Sequence, residues 1–303
     1  MASKFIYWLA DGGGKDVGDN RATTLHDWIV SQTNAELIVY GGDVYNSGKS
    51  TEFDEFGAQM KDDLARFCEP PGNHDWKTFK SSQAAGEIPI GYEEFWSTRP
   101  SKQPINAAKK GGARYEHVID INGWRLIFLD TGICDVNPWP MGDNSRREWL
   151  RQQLLGGSGR AKIVFAHHSR VSCGKHGDNA GVDDLWRTLF DNNGAPLAAL
   201  TVAGHDHNVN TYSPRPKEDP EKNPVDFAHG IHLHVNGAGG RALDAPWIGK
   251  KGDLFNSFDQ YCVTQIELMN SQKANISVWG FGATPNPTDP PTKIAGGGLL
   301  ISV

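Results

Sequence analysis

Residues 202–209 read VAGHDHNV, in which two histidines flank an aspartate directly after an apolar run and a glycine. Imidazole nitrogens and carboxylate oxygens are donors of the kind that bind transition-metal ions. Such a trio at the end of a buried strand is therefore a candidate metal site. A complete site needs further ligands, which other parts of the chain must supply.

Four other polar clusters also follow apolar runs, or in one case a helix and a short turn. Their donor residues are Asp11, Asp43, Asn73 and the pair His167-His168. The donors include no cysteine, so they suit Zn, Mn, Fe or Ni and not a structural thiolate site. One histidine of the His167-His168 pair is expected to be a ligand, which gives two carboxylates, one amide and three imidazoles. This set exceeds the needs of one four-coordinate ion and suffices for two ions that share a carboxylate. Two such ions can clamp an in-line displacement at phosphorus.

Apolar periodicity predicts the elements that must position these donors. We expect strands at 5–10, 37–40, 113–120, 124–130, 162–166, 197–203, 230–236 and within 261–281, and helices at 21–33, 51–67, 145–155 and 182–192. Asn122-Gly123 predicts a hairpin turn. We expect irregular chain over 76–112 and a proline-rich loop over 213–226. Because ligands bind at the carboxyl ends of strands in α/β sheets, the five clusters can converge on one spot.

The composition is typical of a globular α/β enzyme. The 303 residues are 38% hydrophobic and 22% charged, with a net charge of −6, so no basic surplus favours long nucleic acids or membrane surfaces. No apolar stretch approaches the roughly 18 residues of a membrane-spanning helix. The four cysteines are scattered along the chain and fit reduced thiols.

These properties lead to expectations about the chain as a whole. We expect a single domain over residues 1–303. The apolar run near the N-terminus is too short for a signal peptide, so we expect a cytoplasmic protein, or a secreted one if a leader has been removed. We expect neither a membrane nor a long nucleic acid as a partner, and the sequence does not predict the oligomeric state.

The order of five motifs resembles that of the calcineurin-like metallophosphoesterase superfamily. The motifs are Asp11-Gly12-Gly13, Gly42-Asp43, Gly72-Asn73-His74-Asp75, Ala166-His167-His168 and Gly204-His205-Asp206-His207. GNHD and GHxH in this order are a specific signal, whereas either alone is weak. The glycine at position 13 of the first motif is similar to the pattern of the purple acid phosphatase branch. The resemblance spans residues 11–207 and implies an α/β fold, a four-layer α/β/β/α sandwich of two mixed sheets with flanking helices.

The resemblance also implies six metal ligands. Asp43 would bridge two ions, and the other ligands would be Asp11 and His207 for the first ion and Asn73, His167 and His205 for the second. The purple branch places a tyrosine ligand three residues after the bridging aspartate. Here Tyr45 lies two residues on, so Tyr45 is either a ligand of the first ion or a packed aromatic residue.

Further residues near these motifs are candidates for contact with substrate. By the resemblance, His74 would touch the substrate phosphate and help protonate the leaving group. His176, nine residues after His167, matches a histidine of the mammalian-type purple enzymes and would be a general acid or a phosphate contact. His168 would face the substrate or pack. Arg170 either clamps a phosphate or is a plain surface cation.

The implied function is the hydrolysis of phosphomonoesters by attack of a metal-bound hydroxide, as in acid phosphatases. The implied cofactors are two divalent or mixed-valence transition-metal ions, Mn, Fe, Zn or Ni, and the implied partner is a small phosphoester substrate. One alternative is a phosphodiesterase that acts on small diesters or nucleotides. A second alternative is a non-catalytic scaffold with the same fold.

Overall fold

The structure, a computed structural model, describes residues 2–12, 20–76, 90–99, 115–134, 137–140, 142–157, 159–221, 224–245, 254–270, 272–286, 288–294 and 299–302. Within these residues two seven-stranded mixed sheets pack face to face, and helices cover their outer surfaces. This is the four-layer α/β/β/α sandwich that the family resemblance implies, so that expectation is confirmed.

The described residues contain fourteen strands and five α-helices. The strands are β1 (Lys4–Leu9), β2 (Ala35–Tyr40), β3 (Phe67–Cys68), β4 (His117–Ile121), β5 (Trp124–Leu129), β6 (Ala161–Ala166), β7 (Leu200–Ala203), β8 (Val209–Arg215), β9 (Ile231–Asn236), β10 (Phe255–Ser257), β11 (Cys262–Asn270), β12 (Lys273–Gly280), β13 (Thr292–Lys293) and β14 (Leu299–Ser302). The helices are α1 (Asn20–Ser31), α2 (Ser50–Met60), α3 (Ile90–Thr98), α4 (Asn144–Leu155) and α5 (Asp183–Thr188).

Parallel strands form the centre of both sheets. The first sheet has the order β13-β12-β11-β1-β2-β3, with β14 paired to β12, and its strands β1, β2 and β3 are parallel. The second has the order β10-β8-β9-β7-β6-β5-β4, and its strands β5, β6, β7 and β9 are parallel. Parallel strands bring their carboxyl ends to one edge, where the loops of both sheets can meet.

Side chains of β1 alternate between the two faces of the first sheet, as the two-residue repeat of a strand requires. Ile6 and Trp8 point to the interface between the sheets, where the Trp8 ring stacks on Phe165 at 5.7 Å between centroids. Tyr7 and Leu9 point into the cluster that the helices cover. Because both faces of β1 are buried, the strand has a continuous apolar sequence.

Helices α2 and α4 show how the outer layers attach. α2 presents Phe53, Phe56 and Met60 to the first sheet, at the three- and four-residue spacing of an amphipathic helix. α4 presents Leu150 and Leu154 to the second sheet. None of the helices in the described residues is long and apolar enough to cross a membrane.

Two expected helices are shorter in the structure. The helix expected over 51–67 ends at Met60, and after a 3₁₀ turn the chain returns to the first sheet as β3, which pairs with β2. The helix expected over 182–192 is reduced to α5, because Phe190 forms a β-bridge with Pro196. In both cases a contact with distant chain overrides the local helical pattern.

Two segments expected to be irregular contain regular structure. Within 76–112 the structure shows α3, whose Phe95 packs on Phe56 of α2, while residues 77–89 and 100–112 lie outside the described residues. The start of the expected 213–226 loop belongs to β8, which pairs with β9 despite its proline. The hairpin predicted at Asn122-Gly123 is confirmed between β4 and β5, with φ of 50° and 82°.

Candidate functional site

Five loops at the carboxyl ends of strands bring the predicted donors together at one edge of the sandwich. The loop after β1 carries Asp11, the loop after β2 carries Asp43, the segment after β3 carries Asn73, the loop after β6 carries His167, and the loop after β7 carries His205 and His207. Asp11, Asp43 and His167 offer ligand atoms that all lie within 4.8 Å of one another. The predicted convergence of distant motifs is therefore observed.

Asp11 is a fully buried carboxylate at the junction of the two sheets. Its Oδ2 accepts a hydrogen bond of 2.8 Å from the backbone N–H of His205. Its Oδ1 has no hydrogen-bond partner and faces His207 Nε2 at 3.7 Å and His167 Nε2 at 4.0 Å. Burial, together with the nearby charge of Asp43, raises the pKa of Asp11 well above its usual value. A buried carboxylate oxygen left facing imidazole nitrogens fits a site for a cation.

His167 is held in the tautomer that a metal ligand needs. Its Nδ1 donates a hydrogen bond of 2.7 Å to the carbonyl of Gly41, so Nε2 keeps the free lone pair. This Nε2 lies 3.1 Å from Asn73 Oδ1, 3.3 Å from His205 Nδ1 and 3.5 Å from Asp43 Oδ1. The four side chains therefore direct donor atoms at one small volume.

His207 is oriented in the same manner on the other side of Asp11. Its Nδ1 donates to the carbonyl of Ala242 at 3.0 Å, which leaves Nε2 directed at Asp11. Burial lowers the pKa of His207 to about 4, so the ring is neutral near pH 7 and can donate its lone pair. Burial also lowers the pKa of His205 well below its usual value, and the neighbouring histidines add to this effect.

His168 lies beside the same cluster. Its backbone N–H and its Nδ1 both contact Thr131 Oγ1, at 3.0 and 3.2 Å. Its ring is 4.2 Å from that of His205, and His167, His168 and His205 form a second group of atoms close enough to hold an ion. Its place beside the ligand histidines is compatible with both expected roles, so contact with the substrate stays a prediction.

Asp75 holds together the loops that carry Asp43 and Asn73. Its Oδ2 accepts hydrogen bonds from the backbone N–H of Asp43 at 2.8 Å and of Gly72 at 2.7 Å. Its Oδ1 accepts a hydrogen bond of 3.2 Å from the N–H of Val44. Burial, with the charge of Asp43, raises the pKa of Asp75 to about 8. The carboxylate positions other residues and does not itself face the cluster.

Backbone strain is concentrated at these donors. Asp11, Asp43 and His205 have φ of 58°, 56° and 70°, in the left-handed region that residues other than glycine seldom adopt. Gly42 has φ of 87°, and a Cβ there would lie 2.4 Å from the backbone nitrogen of Gly72. Strained backbone of this kind persists at functional sites because surrounding contacts impose it.

His74 contacts both the cluster and an arginine that the motifs do not mark. Its backbone N–H donates to Asp43 Oδ1 at 2.7 Å, and its Nδ1 donates to the carbonyl of Asn46 at 2.9 Å. Its Nε2 then accepts a hydrogen bond of 2.9 Å from Nη1 of Arg241. Arg241 lies in the segment after β9, and the end of β9 reaches the same edge of the second sheet as the cluster. The strand expected over 230–236 was therefore the signal in the sequence that could have located Arg241.

Arg170 forms ion pairs with two carboxylates. Its guanidinium pairs with the carboxylate of Asp183 and lies 3.6 Å from that of Glu221. Carboxylates therefore already neutralise its charge on the side of α5. These ion pairs favour the expectation of a plain cation, and the phosphate clamp stays a prediction.

Tyr45 is a packed aromatic residue in the structure. Its ring belongs to the apolar cluster between the first sheet and its helices. Its hydroxyl accepts a hydrogen bond of 3.2 Å from Gln59 Nε2, and burial raises its pKa. The hydroxyl is thus directed at α2, which favours the packed aromatic residue, and Tyr45 as a metal ligand stays a prediction.

His176 reaches the cluster, as expected from its distance to His167 in the sequence. Its ring is 4.3 Å from that of His205, and its Nε2 is 3.8 Å from Asp244 Oδ2. The same Asp244 oxygen lies 3.3 Å from His207 Nδ1, and these three residues form a third group that could hold an ion. Asp244 was missed because it lies 37 residues beyond the last motif residue.

An open cavity of about 480 Å³ lies beside the cluster. It is lined by His176 and His205 of the cluster and by Cys134, Pro138 and residues 178–181. The cavity is large enough for a small ester and has both polar and apolar lining. The donors therefore border a space that a small molecule can enter.

The sequence matches the model of a known family over most of this arrangement. A model described as calcineurin-like phosphoesterase matches residues 15–209, which is more than half of the chain. The chain belongs to the calcineurin-like phosphoesterase family. Members of this family hydrolyse phosphoric esters and generally bind a dinuclear metal centre, with which the aspartate and histidine groups described above are compatible. The matched residues include five of the six predicted ligands, and the sixth, Asp11, precedes the match.

One curated relative is the 3',5'-cyclic adenosine monophosphate phosphodiesterase CpdA of Pseudomonas aeruginosa. It is 24% identical over 173 residues, which cover 55% of this chain and 53% of the relative. The chain therefore spans about half the length of that curated relative.

Three solved structures share the fold. The purple acid phosphatase PPD1 of yellow lupin (Lupinus luteus) has a TM-score of 0.74 and 14% identity, covering 99% of this chain and 54% of its own. GAP50, described as the anchor in the inner membrane complex of Plasmodium, has a TM-score of 0.60 and 16% identity, with 97% and 89% covered. PhoD has a TM-score of 0.59 and 9% identity, with 97% and 72% covered. At these identities the likeness establishes the fold alone.

Proposed function

We propose that this chain is a phosphoesterase that depends on two metal ions and hydrolyses phosphomonoesters. One observation carries the proposal. The buried Oδ1 of Asp11 has no hydrogen-bond partner and faces the Nε2 atoms of His167 and His207, within a family fold whose members bind two ions. Without a cation, that oxygen would bear the full cost of burial.

The donor set suggests how two ions would be held. Asp43 would be shared, Asp11 and His207 would hold the first ion, and Asn73, His167 and His205 would hold the second. Oxygen and imidazole donors without thiolate suit Mn, Fe, Zn or Ni. When bound, such a pair of ions would activate water and stabilise the negative charge that develops on the phosphoryl oxygens and on the leaving group.

The remaining residues of the site would bind and orient the substrate. His74 is anchored through its backbone to Asp43 and through Nδ1 to Asn46, so its Nε2 has a fixed direction at the cluster edge. His176 borders both the cluster and the cavity, where it can contact a phosphate or the group that leaves. Both are imidazoles in reach of the reacting ester, as general acid–base chemistry requires.

A small-diester phosphodiesterase is the second candidate function. The cavity of about 480 Å³ beside His205 has room for a second ester arm, and the curated relative CpdA carries a cyclic-nucleotide phosphodiesterase name. A non-catalytic scaffold is disfavoured because the six donors are present and short distances connect all of them in one group.

The experiment that tests the proposal compares two esters and one ligand variant. Protein stripped with a chelator and reloaded separately with Mn²⁺, Zn²⁺, Fe²⁺ or Ni²⁺ is assayed on 4-nitrophenyl phosphate and on bis(4-nitrophenyl) phosphate. We expect hydrolysis in at least one loaded form, none in the stripped form, and a higher kcat/KM for the monoester. Dominant diester hydrolysis would support the second candidate, and inactivity in every loaded form would refute both.

Asp43→Asn tests the proposed shared ligand. Loss of that carboxylate removes several kcal/mol of charge stabilisation, so kcat/KM should fall at least ~100-fold. Asp54→Asn is the matched control, because the Asp54 carboxylate is exposed and pairs with Arg99 at 3.0 Å. A folded Asp43→Asn protein with unchanged turnover would contradict the ligand assignment.

A further inference from the structure

We propose that Arg241 determines substrate specificity, with its guanidinium binding a nonbridging oxygen of the substrate phosphate and so favouring phosphomonoesters over diesters. The inference rests on the proposed function, since it concerns the same site. Neither the motifs nor the family match, which ends at residue 209, includes this residue.

The backbone of Arg241 is attached to the cluster. Its N–H donates a hydrogen bond of 2.9 Å to the carbonyl of Asp11, and the N–H of Gly239 donates one of 3.0 Å to the carbonyl of Ala10. Gly240 has φ of 152°, and a Cβ there would lie 2.9 Å from the carbonyl oxygen of Gly12. The segment after β9 thus lies directly against the loop of Asp11, so the side chain of Arg241 starts from a fixed position.

The guanidinium lies at the edge of the cluster. Its Nη1 is 2.9 Å from His74 Nε2, and His74 Nε2 is itself 3.7 Å from Asp43 Oδ2. The guanidinium therefore lies next to the residue that borders the proposed shared carboxylate.

The charge balance of this position favours an anion with two charges. No carboxylate of the described residues lies within 4.0 Å of the Arg241 guanidinium, unlike Arg170, which faces two. Two divalent ions exceed the charge of Asp11 and Asp43, and Arg241 adds another positive charge beside them. A guanidinium in such a place favours the binding of an anion with more than one negative charge.

The number of free oxygens separates the two substrate classes. A phosphomonoester presents three nonbridging oxygens and a charge near −2, whereas a diester presents two and a charge of −1. A guanidinium can form charge-assisted hydrogen bonds with the additional oxygen of the monoester. In a diester an ester arm occupies that place, so the same guanidinium gains nothing and must accommodate the arm.

The test uses Arg241→Gln and Arg241→Lys in metal-loaded protein. We expect Arg241→Gln to lower kcat/KM for 4-nitrophenyl phosphate at least ~10-fold, the loss of one charged hydrogen bond, and to change that for bis(4-nitrophenyl) phosphate much less. The affinity for inorganic phosphate, titrated by calorimetry, should fall by a similar factor. Arg241→Lys keeps the charge and should retain part of the preference, and thermal unfolding verifies that each variant is folded.

Arg187→Gln is the matched control, since the Arg187 guanidinium pairs with exposed Glu218 at 3.1 Å on the surface. It should leave both esters and phosphate binding unchanged. Equal losses on both esters, or unchanged phosphate affinity in Arg241→Gln, would overturn the proposal. If the wild-type protein hydrolyses neither ester, the proposed function fails, and the phosphate titration alone then decides whether Arg241 binds phosphate.

Discussion

Asp75 shows how a residue that faces away from the cluster can determine its geometry. It accepts three backbone hydrogen bonds, from Asp43, Val44 and Gly72, and thereby connects the loops after β2 and β3. Those loops carry the proposed shared carboxylate and the amide ligand. A ligand set is precise only when its supporting contacts are themselves fixed.

Asp75→Asn should weaken metal binding more than it weakens folding. The amide nitrogen would turn a donor toward backbone N–H groups that also donate, so the loop of Asp43 would shift. We expect the Mn²⁺ concentration for half-maximal activity to rise ~10–100-fold, with activity partly restored at high Mn²⁺. Asp63→Asn, which alters only a partly exposed pair with Arg66, is the control. An unchanged Mn²⁺ dependence would show that Asp75 is not needed for ligand placement.

At the residue scale, sequence reasoning succeeds where a function is carried by a short motif. Asp43 and His205 could be found because each directly follows a glycine after an apolar run, and that pattern is visible in the local sequence. Arg241 and Asp244 could not, because only the path of the chain after β9 brings them to the site. The carboxylate partners of Arg170, Asp183 and Glu221, were likewise not visible in the sequence.

At the scale of elements, the site depends on loops that approach one another more closely than side chains allow. A Cβ on Gly42 would lie 2.4 Å from the nitrogen of Gly72 and 2.9 Å from Nδ1 of His167. The loops after β2, β3 and β6 therefore meet through backbone. That contact sets the separation between the carboxylate and imidazole donors that the loops carry.

Gly42→Ala should lower the free energy of unfolding more than the same substitution at an equally strained glycine in open space. Gly142 has φ of 76° with nothing within 4 Å of its Cβ position, so Gly142→Ala should cost only ~1 kcal/mol of backbone strain. Gly42→Ala adds a collision with backbone and should cost ~2–4 kcal/mol in total. Urea unfolding of both variants measures the difference. Equal costs would mean that the loops separate without penalty.

Strong periodicity predicted the long elements, and distant contacts determined the rest. The helices over 21–33 and 145–155 appear as α1 and α4, shifted by a residue or two at their ends. The two-residue strand β3 was hidden inside a helical pattern, because it exists only through its pairing with β2. In α3, by contrast, Tyr92, Phe95 and Trp96 have the three- and four-residue spacing of a helix face and are buried together, so the expectation of irregular chain there overlooked a helical pattern.

At the scale of the whole molecule, strand order is the feature that the sequence alone could not supply. β1 pairs with β11, more than 250 residues away, and no local pattern encodes that pairing. The sandwich was expected only from the resemblance of motifs to a family. The burial that results is nevertheless visible residue by residue, and it places several histidines where they cannot accept a proton.

His117 provides a test of that burial through the pH dependence of stability. It is buried, stacks on Phe128 at 4.6 Å between centroids, and has no hydrogen-bond partner at Nε2. Burial lowers its pKa to about 4, so the folded protein keeps this ring neutral while the unfolded chain protonates it below about 6.5. Between these values the unfolded state binds more protons, and stability falls as the pH falls.

His117→Phe should remove this contribution, because phenylalanine can stack on Phe128 and does not titrate. The free energy of unfolding of the variant, relative to wild type, should rise by up to ~1.4 kcal/mol for each pH unit from 6.5 down to 4. Urea unfolding of chelator-treated protein at pH 7 and pH 5 measures it, and the other buried groups cancel in the difference. His229→Gln, at an exposed histidine beside Asp226, should follow wild type. If the difference in free energy of unfolding between His117→Phe and wild type did not change with pH, His117 would be protonated in the folded protein. Water would then reach the layer above β4.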